Sequence, residues 1–125
     1  MADKWALSAS SIVTPSSGYP AGAMDLSGSL AATVPLSAKT LVDTTLTTND
    51  WTPVELSGLT ANVLHLSTSG GKVLARLTSA DGSQQIVPVE PVFILVSKTV
   101  GITALDLQRP TGVQCACQTF AGQKA

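Results

Sequence analysis

Residues 62–97 read NVLHLSTSGGKVLARLTSADGSQQIVPVEPVFILVS. Apolar and polar side chains alternate along it, the period of strands that bury one face and wet the other. The runs 62–67 and 72–78 are separated by Thr68, Ser69, Gly70 and Gly71. Paired glycines reach the positive φ of a tight turn, so a hairpin is predicted here. In it Leu64 and Leu66 share a core face with two of the alternating residues Val73, Ala75 and Leu77, or with Leu74. Asp81 and Gly82 predict a second turn, leading into a strand over 84–89. Pro88 and Pro91 then interrupt the ladder on either side of Glu90. The following VFILVS is apolar without alternation, as in a strand covered on both faces, which predicts a central position in a sheet.

Working outward, Val42, Thr44 and Leu46 share one face of a strand starting near Leu41, and Asn49 with Asp50 marks a turn. A strand over 52–56 contains Pro53, which lacks a donor and belongs at a sheet edge or beside a bulge. Residues 102–108 alternate again, Arg109, Pro110, Thr111 and Gly112 form a turn, and 113–120 make the last strand with Val113, Cys115 and Cys117 on one face. Glycine, proline or β-branched residues interrupt every candidate helix, and no repeat of fixed period is present. The expectation is an all-β chain: an antiparallel β-sandwich or jelly-roll-like domain, or a small barrel, of about eight short strands.

Residues 1–38 differ in texture, being rich in Ser, Ala, Gly and Pro, with Pro15, Pro20 and Pro35 spaced to exclude a long helix. An extended N-terminal arm over 1–38 and a β-sandwich domain over 39–125 are expected. Extended at about 3.3 Å per residue, the arm reaches on the order of 100 Å, enough to cross a neighbouring subunit. The competing reading, that it adds strands to its own sheet or stays disordered, carries equal weight. Its spaced apolar residues make Trp5, Ile12, Tyr19, Met24 and Leu30 candidate partner-binding anchors. Trp51, at the mouth of a strand, is a sixth candidate, either a surface anchor or a lid on the sandwich.

With 125 residues the chain has room for one domain. Its hydrophobic fraction, 44%, is ordinary, but charged residues make up 12%, about half of the usual quarter. A net charge of -1 and seven scattered Lys and Arg give no stripe for tracking phosphates, which disfavours nucleic acid and anionic membrane. The start, MADKWALSASSIV, has no continuous apolar segment, and PVFILV is too short to span a bilayer, so a soluble product of the cytoplasm is expected. Cys115 and Cys117 stand two apart, project from one face and read as reduced thiols.

No arrangement of side chains matches a catalytic centre. His65 is the only histidine, lies mid-strand between leucines, and reads as an exposed or interface residue in preference to a general base. Cys115 and Cys117 lack the further ligands of a tetrahedral zinc set and read as small buried hydrophobes. Ser69, Gly70, Gly71 and Lys72 lack the upstream glycine and the following Ser or Thr of a phosphate loop. The acids Asp43, Asp50, Glu55, Asp81, Glu90 and Asp106 fall on different turns and strands, so solvated acids are the default over a glycosidase pair. The expected protein is not an enzyme and has no cofactor and no metal.

The opening strand WTPVELSG, the VLHLSTSGGKVLARL stretch, the QQIVPVEP segment and the apolar strand leading to ITALDLQRPTGVQ together resemble the small β-sandwich structural proteins of tailed-bacteriophage virions, the capsid decoration (cement) type. The resemblance spans roughly residues 51–125. It implies a virion structural protein, made in the host cytoplasm and located on the capsid surface. Such a protein binds the major capsid protein, often as a homotrimer, and stabilises the shell with its arm lying over neighbours. The alternative is a tail, baseplate or fibre component whose sandwich binds host glycans.

Overall fold

The computed structural model describes residues 3–11, 28–97, 99–110 and 112–125. Among the described residues there are nine strands: β1 (Asp3–Ser11), β2 (Gly28–Leu46), β3 (Thr52–Val54), β4 (Val63–Ser69), β5 (Val73–Ser79), β6 (Gln84–Val89), β7 (Val92–Val96), β8 (Ile102–Gln108) and β9 (Cys115–Lys124). They form two antiparallel sheets, a five-stranded one in the order β1-β2-β9-β4-β7 and a four-stranded one in the order β3-β8-β5-β6. The chain is all-β with the architecture of a sandwich, as its alternation requires.

One main core lies between the sheets. Leu46, Leu64, Leu66, Cys115, Cys117 and Ala121 enter it from the five-stranded sheet, and Val54, Val73, Ala75, Leu77, Val89, Leu105 and Leu107 from the other. The phase of burial in β4 and β5 is therefore the one the sequence predicts, but the pairing is not. The two strands make no hairpin: β4 sits between β9 and β7, and β5 between β8 and β6 in the opposite sheet. Two runs with matching apolar faces satisfy their pattern by stacking across a core as well as by lying side by side. Gly70 (φ 89°) and Gly71 (φ 147°) permit the corner that carries the chain from one sheet to the other.

The turn at Asp81 and Gly82 does form a hairpin, with β5 and β6 in register from Val73 opposite Val89 to Thr78 opposite Gln84. Ser83 donates to the Asp81 carboxylate through its backbone N–H (3.0 Å) and its hydroxyl (2.6 Å), the hydroxyl contact being the larger reason that this carboxyl is held below its ordinary pKa.

Two further expectations are corrected. β7, predicted as a central strand, is among the described residues the edge of its sheet and pairs there only with β4. Its apolar run lacks alternation because both faces are apolar: Phe93 and Leu95 pack on the core while Val92 and Ile94 are 48% and 36% exposed. Val113, predicted to share the buried face of the last strand, precedes β9 and is 57% exposed, whereas Cys115 and Cys117 are buried as free thiols. Pro53 lies on β3, which among the described residues is an edge strand pairing only with β8.

β2 is 19 residues long against 10 for its partner β9. The part from Leu36 onward pairs with β9, and the part before it pairs with β1, so β1 and the start of β2 form a two-stranded ribbon running past the end of β9. A register shift between Leu36 and Ala38 marks a bulge, and the boundary expected at residue 38 falls there, inside β2. A bulge inverts the phase of facing. Lys39, Leu41 and Asp43 point outward beyond it, and so do Leu36 and Val34 before it, where they form with Val63 a second, smaller cluster roofed by Trp5, Val96 and Phe120.

Thr119 is 0% exposed and its hydroxyl has no hydrogen-bond partner among the described residues; the Cys117 thiol beside it is at most a weak one. A buried hydroxyl left unsatisfied costs on the order of 1 kcal/mol or more. Thr119→Val is therefore expected to raise the unfolding free energy by about 1 kcal/mol in urea titration. An equal or lower midpoint would mean that the hydroxyl is satisfied.

Candidate functional site

The outer face of the five-stranded sheet is the surface with the most pronounced chemistry. Register places Leu41 opposite Phe120, Phe120 opposite His65, and His65 opposite Ile94, a row across β2, β9, β4 and β7. Leu41 is 61% exposed, and Phe120 and His65 are half-buried. The adjoining row, Lys39, Gly122, Val63 and Val96, lies under the ribbon base. A Cβ on Gly122 would come within 2.8 Å of the Leu36 side chain, so glycine lets that leucine lie flat on the sheet. Lys39 Nζ meets Asp3 Oδ2 at 2.9 Å across the ribbon base, an exposed pair that contributes little energy but is consistent with the register.

At the other end of the same sheet, Asp43, Gln118 and Ser67, with Thr45, Ala116 and Ser69, line an open depression of about 320 Å³. Hydroxyls, one amide and one carboxylate suit hydrogen bonding to a polyhydroxylated ligand, but no aromatic ring lines it for stacking.

On the outer face of the four-stranded sheet, Arg76 lies opposite Asp106, donating from Nε and Nη2 to Oδ2 at 3.2 Å each. The guanidinium carbon stands 4.5 Å from the centroid of the Trp51 ring. The cation on the ring face, itself held by a carboxylate, pins Trp51 in a half-buried position on its own sheet. Trp51 thus rests on the outer face of the four-stranded sheet, with one ring face covered by Arg76.

Among the other expected contact residues, Trp5 packs on the second cluster with Val34, Leu36 and Val63. Leu30 stands opposite Ala9 in the ribbon ladder. Ile12, Tyr19 and Met24 lie outside the described residues. His65 occupies the apolar row, and Glu55 accepts the Ser57 N–H at 2.8 Å. Burial pushes the Cys117 thiol above its ordinary pKa, which keeps it protonated and unreactive at neutral pH. Among the described residues no group of three or more His, Cys, Asp or Glu is placed to hold a metal ion, and no helix is long and apolar enough to cross a membrane.

The row from Leu41 to Ile94 and the depression at Asp43 escape a reading of the sequence because their residues come from strands far apart in the chain. One signal was available: Leu41 and Ile94 are apolar yet out of phase with the core positions Val42, Leu46, Phe93 and Leu95. Comparison with models of known protein families, with curated proteins and with solved structures finds no match to this chain.

Proposed function

We propose that this chain is a non-enzymatic structural protein of a tailed-phage virion that binds the outside of the capsid, contacts the major capsid protein and stabilises the shell across neighbouring subunits. The observation that carries this reading is the length of β2: about half of its 19 residues run beyond β9 as a ribbon with β1. A ribbon that extends past its own sandwich has reach without the entropy of a loose chain, which suits an element laid over an adjacent subunit. The exposed apolar row and the low charge support contact through packing, not through steering. In this reading the protein co-purifies with particles in stoichiometric amounts. Particles lacking it lose resistance to heat and chelator, and regain it when the purified protein is added back. Equal resistance with and without the protein would refute the stabilising role.

The polar depression at Asp43, Gln118 and Ser67 favours one other reading, a tail, baseplate or fibre component that binds host glycans. A glycan array separates the two: binding that is lost in Asp43→Ala and Gln118→Ala supports the second, and an array without hits counts against it.

A further inference from the structure

The free edge of β7 is a site for strand addition, and we propose that its occupant is a second copy of this chain, joined about a two-fold axis through Ile94. Thr68 N–H donates to Pro91 O and Ser97 N–H to Asn62 O, both at 2.8 Å, so alternate residues of β7 engage β4. Phe93 and Leu95 thus direct their backbone groups at β4, and Val92, Ile94 and Val96 direct theirs away from the sheet. Among the described residues nothing pairs with that side.

Three outward residues centred on Ile94 are self-complementary. In an antiparallel two-fold, Ile94 meets Ile94 of the other copy as a hydrogen-bonded pair, Val92 meets Val96, and Val96 meets Val92. Six N–H to C=O bonds close by the alternation of an antiparallel ladder. Side chains agree with the backbone. Val92, Ile94 and Val96 share the outer face, so the row from Leu41 to Ile94 continues without a break across the axis into the second copy's sheet.

The remaining edges carry the devices that prevent such pairing, and β7 does not. β1 has Asp3 and Lys4, β3 is three residues long with Pro53 at its centre, and β6 contains Pro88. β7 is VFILV, with no charge, no proline and an unbroken register against β4. The result is a dimer with one continuous ten-stranded sheet, twice the five of one copy, in place of the trimer that the phage resemblance implies. The inference rests on β7 alone and holds whether or not the chain belongs to a virion.

Sedimentation velocity of the full chain over a range of concentrations is expected to move from the mass of one chain to that of two. Ile94→Lys, which puts two like charges on the axis, is expected to remain at one chain with its thermal unfolding little changed. A wild-type chain that stays monomeric at every concentration, or an oligomer whose mass Ile94→Lys leaves unaltered, overturns the proposal. A second test does not depend on that variant folding. Under mild oxidation Ile94→Cys should form a covalent dimer, because the paired Cα atoms stand about 5.5 Å apart, within disulfide reach. Val92→Cys, offset from its own copy across the axis, should not, and wild type controls for the buried Cys115 and Cys117. Equal cross-linking of the two variants would overturn the axis at Ile94.

Discussion

Leu66→Asp is expected to abolish folding. Leu66 is 0% exposed, stands opposite Phe93 on one side and Thr119 on the other, and belongs to the main core between the sheets. A carboxylate there loses its hydration, and the nearest polar side chain by register, Thr119, offers one neutral hydroxyl, too little to replace it. The substitution also removes a buried leucine and its packing. The combined cost is about 4 kcal/mol or more, a large share of the roughly 5–15 kcal/mol that a small domain possesses. Circular dichroism should show loss of the cooperative melt. Leu41→Asp, on the exposed outer face of the same sheet, should shift the midpoint by less than about 1 kcal/mol. A folded Leu66→Asp protein would mean that the register of β4 is inverted.

Gly70→Ala should have the next largest effect, because it strikes the corner where the chain leaves one sheet for the other. Its φ of 89° lies in the region that side chains rarely adopt. An added Cβ would also stand 3.0 Å from the Gln114 carbonyl oxygen and 3.4 Å from Cys115 Cα, both backbone atoms that cannot swing aside. Strain and crowding together give about 2–3 kcal/mol. Gly82, with the same φ of 89° but nothing within 4 Å of a Cβ, separates the two terms. Gly82→Ala should cost about 1 kcal/mol from conformation alone. Urea midpoints of the two variants measure the difference. Equal losses would show that Gln114 and Cys115 give way.

Local pattern carried a large part of this fold. Alternation in β4, β5 and β8, the apolar positions of the core, the Asp81 and Gly82 hairpin and the edge position of Pro53 were all legible, because each depends on residues two to six apart in the chain. The hairpin expected at Gly70 and Gly71 was not a misreading of the turn chemistry. Both glycines take positive φ, but that chemistry serves a corner between sheets as readily as a turn within one. The position of β7 was misjudged for a related reason. An apolar run without alternation has two apolar faces, and nothing in the run says whether the second is covered by the rest of the fold or left at the surface.

Of the candidate contact residues, Trp51 shows how far side-chain identity leads. A tryptophan at a strand mouth announces a large ring that must rest on something; that it rests under Arg76, held in turn by Asp106, depends on β5 and β8 lying side by side. The outer row of Leu41, Phe120, His65 and Ile94 was announced only by the out-of-phase apolar residues Leu41 and Ile94, which do not say that the four side chains meet.

Taken alone, the sequence determined that this chain is all-β, which residues of β4 and β5 are buried, and that its charge density is about half the usual. These are properties of composition and of a two-residue period, and they survive any arrangement of the strands. The tertiary structure decided which strands are neighbours: that β4 and β5 face each other across the core, that a bulge between Leu36 and Ala38 turns Leu36 onto the outer face, and that β7 is an edge strand among the described residues. The physical reason is that alternation specifies which way a side chain points but not what it meets. Pairing is settled only when every apolar face competes at once for the same limited interior.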